Sequence, residues 1–275
     1  MSLPRLSGNT GAMPQAGAGY STAPRFAGMP WLVHGFGRAG WGEEDIRTGA
    51  EFDGFRPVIM RQLHSDIIHR LEDVPREKLE GDALMTDVPG LLLVARTADC
   101  LPVLLADPAR RAVAAVHCGW RGTQKRILEK TVRAMGRAYG SRPADLLAAL
   151  GPCIGPACYE VGPEVREGFE RAGFPPSVFT ERPEAGGEGG KASFTRQKRG
   201  QIRGHVPEVR VPSSSGKSLL DLRAANVWLL EGLGVKRAKI WSAEACTHCD
   251  PGLLSYRRHK GEPRRMYNFI GIRRA

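Results

Sequence analysis

The chain has 275 residues, of which 41% are hydrophobic, and a formal charge of +11; that is enough apolar material for one large core or two small ones. No run of about 18 apolar residues occurs, which excludes a spanning helix, and the N-terminus lacks the basic start and apolar stretch of a secretory signal, so the cytoplasm is the expected compartment. Six cysteines are too few and too motif-bound for a disulfide framework and read as thiols or ligands in a reducing compartment.

In chain order, the Gly-, Ala-, Ser- and Pro-rich start predicts a mobile extension over 1–29, ahead of an ordered domain over 30–275 that begins around Pro30-Trp31-Leu32-Val33. Apolar runs predict strands at 57–63 and 91–97, then a hairpin of 101–106 and 112–117 joined by Asp107-Pro108-Ala109-Arg110-Arg111. Ile127, Leu128, Val132 and Met135 recur at helical spacing, predicting a helix from Thr123 to Tyr139 with Gly140 as its stop. A strand at 146–150 precedes a helix that opens on Pro163, runs through Phe169 to Arg171 and is ended by Gly173. The low-complexity run from Glu184 to Gly190 and the basic stretch after it predict a flexible insertion near 183–212. A helix over about 219–232 and strands at 239–243, 253–256 and 266–272 complete the chain. Strands interleaved with helices and including a hairpin predict an α+β single domain, mixed β-sheets flanked by helices.

His64, Cys100 and His117 each fall at the end of a predicted strand, within Arg61-Gln62-Leu63-His64-Ser65, Thr97-Ala98-Asp99-Cys100 and His117-Cys118-Gly119-Trp120. Two imidazoles and a thiolate suit a borderline-soft cation, and three protein ligands leave a fourth, reactive position, so the triplet predicts a catalytic zinc. With Pro108 and Ala109 central in the turn, Cys100 lies opposite His117; a one-residue slip puts Cys118 there and turns alternate side chains over. Asp99 is expected to orient His117 or a substrate hydroxyl, or else to cap the turn. Arg121 follows a strand and opens a helix, which makes it the phosphate candidate, with an ion pair or cap contact as its ordinary role. Cys246-Thr247-His248-Cys249 has metal-site spacing and could combine with Cys153 and Cys158; without a matching second pair the reading is buried or rim thiols.

The segments TADCLPVLLAD (Thr97 to Asp107), VHCGWRGT (Val116 to Thr123), LGPCIGPACYEVG (Leu150 to Gly162), DLRAAN (Asp221 to Asn226) and CTHCDPGLLSYRR (Cys246 to Arg258) resemble the laccase-domain proteins, also called the multicopper polyphenol oxidoreductase family. The resemblance covers roughly residues 31–274 with one gap. It implies a zinc-dependent purine nucleoside phosphorylase acting on inosine, adenosine or methylthioadenosine with inorganic phosphate, with adenosine deaminase activity beside it. It also implies mixed sheets flanked by helices, and zinc ligands in the motifs that hold His64, Cys100 and His117. Two differences stand out: residues 33–56 replace a longer stretch that shapes the substrate side, and Cys118 stands where the family has a small residue.

Other classes make different demands. A multicopper site needs about ten histidines in paired His-x-His segments, whereas this chain has seven isolated ones. A metal-free cysteine hydrolase would use Cys100 as nucleophile and His117 as base. A non-catalytic anion- or nucleic-acid-binding protein would exploit the basic charge, but that charge is scattered, with no aromatic-interleaved stripe. Tyr159 and Arg257 lie in motif loops within reach of a purine or phosphate, with packing and surface pairing as their ordinary roles.

Overall fold

Along Leu91–Thr97, Leu91, Leu93 and Ala95 enter one apolar cluster while Leu92 and Val94 enter another. This is the two-residue alternation of a strand covered on both faces, and it explains the unbroken apolar run. In the computed structural model, which describes residues 10–11, 19–181 and 216–274, this strand lies in a five-stranded sheet. Its spatial order is Tyr20–Ser21, Leu32–Gly37, Met266–Ile272, Leu91–Thr97, Arg56–Ile59.

A seven-stranded sheet stacks on it, ordered Thr10–Gly11, Ile240–Ala243, Leu147–Leu150, Leu101–Asp107, Ala112–Cys118, Ala83–Thr86, Ile68–Arg70. Both sheets mix parallel and antiparallel pairs. Leu93, Ala95 and Ile270 from the first meet Leu104, Val113, Ala115 and Trp241 from the second. The other face of the larger sheet is covered by helices Ile127–Tyr139, Pro163–Arg171 and Leu222–Gly232. Trp41, Ile46 and Phe52 cover the smaller sheet. A three-stranded sheet of Glu160–Val161, Ser218–Leu220 and Phe179–Glu181 completes this α+β domain. Among the described residues no helix is long and apolar enough to cross a membrane.

The structure departs from the sequence expectations where side chains take over backbone pairing. The predicted strand 57–63 stops at Ile59, because the amides of Leu63, His64 and Ser65 donate to the Asp82 carboxylate instead of a neighbouring strand. Residues 253–256 form no strand; the Arg258 guanidinium takes the Leu253 carbonyl, with those of Thr247, His248 and Asp250 before it, so a side chain and not a ladder holds the segment. The single helix expected from Thr123 is two, Trp120–Gln124 and Ile127–Tyr139, parted by Arg126 at a left-handed φ of 61°. Gly140, also left-handed, ends the second, as its lack of a Cβ permits.

The hairpin register is shifted by two residues: Pro102 faces His117 and Leu101 faces Cys118. A two-residue hairpin turn requires positive φ at its first central residue, which the proline ring forbids. The turn therefore widens to four residues, with the Asp107 carboxylate accepting from Ala109 and Arg110 amides at 2.9 and 3.1 Å. A shift of two preserves the faces, so Cys118 still points away from His117 into the helix-covered core.

The packed chain includes part of the stretch expected as an extension: Tyr20–Ser21 pairs with Phe36 and Gly37, and Ala23 and Phe26 are fully buried. The insertion near 183–212 lies outside the described residues. His34 pins the early segment: its Nε2 accepts the Ala23 amide at 2.9 Å, and its ring meets Phe26 edge-on at 4.9 Å.

Burial pulls the His34 pKa down from 6.5 to about 4. The folded state thus binds fewer protons than the unfolded one, and the stabilisation is complete above pH 6.5 and lost as pH falls toward 4. We expect stability measured by urea unfolding to fall by up to about 3 kcal/mol across that window in the wild type. His34→Gln keeps an acceptor without a titrating ring and should flatten the slope; an identical slope in both proteins would remove His34 as its source.

Candidate metal centre and substrate cleft

Three segments converge at one end of the two sheets. His64 comes from the loop after Arg56–Ile59, Cys100 from the link between Leu91–Thr97 and Leu101–Asp107, and His117 from the Ala112–Cys118 strand. The link carries the chain from the smaller sheet to the larger one, so Cys100 stands at the crossing. His64 and Asp99 hold left-handed backbone with φ of 58° and 89°, conformations that cost a non-glycine residue about 1 kcal/mol or more and persist where surrounding contacts impose them.

Asp82 imposes the first of these. Fully buried, it takes amide hydrogen bonds from Leu63, His64 and Ser65 at 3.2, 3.0 and 2.6 Å and the Ser65 hydroxyl at 2.5 Å. The same carboxylate lies 2.7 Å from His117 Nδ1, and the Asp82 carbonyl accepts the His117 amide at 2.8 Å. Burial disfavours this carboxylate, but the His117 and Ser65 hydrogen bonds outweigh it and hold its pKa at about 2. Gln62 extends the clamp, exchanging two hydrogen bonds with the Arg96 backbone at 2.8 and 2.7 Å where the strand Arg56–Ile59 has ended.

With Nδ1 engaged, His117 offers Nε2, and the ligand atoms of His64, Cys100 and His117 lie within 4.8 Å of one another. Cys100 Sγ and His64 Nε2 are 3.9 Å apart. Bonds of about 2.0 and 2.3 Å from zinc to nitrogen and sulfur space tetrahedral donors roughly 3.5 Å apart, so the three fit one ion with small closing movements. Burial works against charge on Cys100 and His117, yet their mutual attraction, with hydrogen bonds from His64 and Asp82, brings the thiol to about 6 and the imidazole to about 9. Cys118, fully buried beneath them, has its pKa pushed up, first by burial and then by the Cys100 charge.

Gly119 makes the approach possible, since a Cβ there would stand 3.0 Å from both Cys100 Sγ and His64 Cδ2. Asp82, Gln62 and Gly119 escape sequence reasoning. Asp82 precedes a four-residue apolar strand as any loop acid might, and only its burial distinguishes it.

Of the roles expected for Asp99, orienting His117 falls to Asp82 instead, and the Asp99 carboxylate faces the opposite wall. It accepts the Thr247 hydroxyl and the Arg257 amide, each at 2.6 Å, tying the 246–258 segment to the mouth of the centre. The helix that Arg121 opens has only five residues, so its dipole is weak and any anion contact falls to the guanidinium, which lies 4.4 Å over the Trp120 ring. Both border a cleft of about 540 Å³ with the metal triplet in its wall. Arg96, Arg257 and Arg265 add cationic groups, and Tyr159 and Tyr256 add aromatic ones.

A family model described as multi-copper polyphenol oxidoreductase laccase matches residues 44–194 and 176–273. The chain is 38% identical over 195 residues to a purine nucleoside phosphorylase of Deinococcus radiodurans, covering 71% of this chain and 62% of that protein. It thus spans less than two thirds of that relative, and 56% of another purine nucleoside phosphorylase from Clostridium acetobutylicum. An Aquifex aeolicus purine nucleoside phosphorylase is 30% identical over 82% of this chain and 91% of its own length. A protein named adenosine deaminase RL5, from an unknown prokaryotic organism, is 34% identical over 74% and 70% respectively. Among solved structures, YlmD from Geobacillus stearothermophilus superposes with a TM-score of 0.77 at 26% identity, over 95% of this chain and 99% of that one.

Loss of His64, Cys100 or His117 to alanine should each strip metal from this centre, while Cys118→Ala and Asp99→Asn retain it. Asp82→Asn, which weakens the hold on His117 and on the His64 loop, should lower metal affinity about 10- to 100-fold. Metal titration against a chelator of known affinity reads all six. Retention of wild-type affinity by Asp82→Asn would show that its hydrogen bonds do not position the donors.

Proposed function

We propose that this chain, which belongs to the multi-copper polyphenol oxidoreductase laccase family, is a zinc-dependent purine nucleoside phosphorylase. Its substrates are inosine, adenosine or methylthioadenosine with inorganic phosphate, and adenosine deamination is a second activity of the same cleft. The observation that carries this reading is the placement of an N,N,S donor triplet in a cleft that also gathers four guanidinium groups and three aromatic rings. The names of its relatives agree with it. Seven histidines without His-x-His pairing speak against a multicopper array. The compartment we assign is the cytoplasm, in keeping with six unpaired thiols.

His64, Cys100 and His117 would hold the zinc, which when bound supplies Lewis acidity beside the substrate. The chain's own groups supply the rest. Phosphorolysis joins a phosphate oxygen to the ribose C1′ as the bond from C1′ to the purine breaks, so a phosphate dianion must be held against the sugar. Arg121 is the residue we assign to that anion, because charge-assisted guanidinium contacts are strong and directional. Trp120 and Tyr159 offer π faces for a planar base. Asp99 acts at one remove, as a positioning residue: through Thr247 and the Arg257 amide it sets where the Arg257 wall of the cleft stands.

Purified, zinc-replete protein should release base and ribose phosphate from at least one of the three nucleosides, read by chromatography. No product from any of them would sink the proposal. Arg121→Ala should raise the KM for phosphate about 10- to 100-fold, the worth of a hydrogen bond to a charged group, with metal content unchanged. Adenosine deamination, which consumes no phosphate, should lose far less. Equal losses in both reactions would assign Arg121 to the nucleoside rather than to phosphate. Rapid stoichiometric alkylation of Cys100 in active, zinc-free protein would replace the whole reading with a thiol hydrolase.

A further inference from the structure

A second group of soft ligands lies outside the metal triplet, where the turn Pro156–Cys158 meets the turn Cys246–Cys249. Ligand atoms of Cys158, His248 and Cys249 fall within 4.8 Å of one another, and the sulfurs of Cys158 and Cys249 are 3.4 Å apart. Cys246 stands beside this group at the start of the same turn, and its sulfur accepts the Gly155 amide at 3.1 Å.

The backbone around these side chains is already committed to this shape. Cys153 and Cys246 form a parallel bridge, the Cys153 carbonyl accepts the Thr247 amide at 3.1 Å, and the Cys246 carbonyl accepts the amides of Cys249 and Asp250 at 3.1 and 2.9 Å. Arg258 takes the carbonyls of Thr247, His248 and Asp250. The turn therefore stands without the cluster's side chains, and the cluster itself is what lacks an explanation. Three thiols pressed together gain little from one another as neutral groups. They also repel one another as thiolates, since each additional negative charge disfavours the next. A cation among them reverses that balance.

We propose that Cys158, Cys246, His248 and Cys249 form a second metal site, for a borderline-soft divalent ion of the zinc class. Three sulfurs and one imidazole complete a tetrahedron from protein alone, with no position left for substrate, so the role is structural. The Gly155 amide donating to the Cys246 sulfur is the kind of outer hydrogen bond that orients a ligating thiolate. The site's place in the fold states what the ion does. Cys158 precedes Tyr159 of the cleft wall, and Thr247, between two ligands, donates to Asp99. The ion thus fastens the Tyr159 wall to the 246–258 segment that carries Arg257. Cys153 takes no part: its fully buried sulfur is not among the ligand atoms that lie together here.

The test is zinc stoichiometry by elemental analysis of reduced, zinc-equilibrated full-length protein, for the wild type, Cys158→Ser, Cys249→Ser, His248→Ala and Cys100→Ala. With both centres filled, the wild type should hold about two zinc ions per chain and each single variant about one. Because Cys100→Ala empties the first centre only, a failed assignment there leaves the Cys158 and Cys249 results standing on their own. Cobalt substitution in the Cys100→Ala background provides a readout in protein with this cluster intact, as an intense thiolate-to-cobalt band that Cys249→Ser abolishes. Zinc should also slow alkylation of the exposed Cys249 in the wild type by at least about 10-fold, because a thiolate held by a metal is withdrawn as a nucleophile. Unchanged zinc content in Cys158→Ser and Cys249→Ser, or no cobalt–thiolate band in Cys100→Ala, would overturn the proposal. So would a Cys158–Cys249 disulfide found by peptide mapping in zinc-replete protein handled without reductant, which would assign the pair to redox chemistry instead.

Discussion

The carboxylate of Asp82 is the constraint on which the candidate metal centre depends. Burying an ionised group costs several kcal/mol unless its lone pairs are matched, and here they are matched by three consecutive amides, a hydroxyl and an imidazole. Each hydrogen bond to the charge contributes roughly 1.5–3 kcal/mol, which accounts for a carboxylate that keeps its charge at 0% exposure. The same matching bends residues 63–65 into a loop that would otherwise continue as a strand. It sets the left-handed turn at His64 and selects the nitrogen that His117 presents. One side chain thereby converts two sheets into a frame for three ligands.

The two-sheet architecture supplies what Asp82 cannot, which is rigidity. Leu101–Asp107 and Ala112–Cys118 are buried along their whole lengths, with one face toward the helices and the other toward the smaller sheet. Interiors of this density transmit displacement rather than absorb it. Cys100 at the crossing between sheets and His117 at a strand end are therefore held by both layers at once. The cleft opens at the same edge because the strands stop there, and loops from both halves of the chain supply its walls.

Charge is distributed to match. The chain's excess of basic residues looks scattered along the sequence, and many arginines do form ordinary surface pairs, such as Arg47 with Glu43 and Arg166 with Glu170. Folding nonetheless brings Arg96, Arg121, Arg257 and Arg265, drawn from three separate segments, to one cleft. The cleft thereby carries a local concentration of positive charge that net charge alone does not convey.

His64, Cys100 and His117 stand out from residue chemistry alone, because imidazole and thiolate in short motifs are rare enough to be noticed singly. The strand pair around Pro108, the helix stopped by Gly140 and the helix opened by Pro163 were likewise legible, since each depends on local backbone preference. Register was not, because it turns on whether a proline can occupy one turn position, and the Asp107 side chain decided for a wider loop. Nor were Asp82 as the partner of His117, the spending of Asp99 on Thr247 and Arg257, or the meeting of Cys158 with Cys249 across 91 residues. The sequence by itself determined which chemical groups were available and which short elements would carry them, because these are properties of residues and their near neighbours. Only the tertiary structure decided which groups meet, because contacts between distant segments are set by how sheets stack and which buried charge must be neutralised, and neither is a local property of the chain.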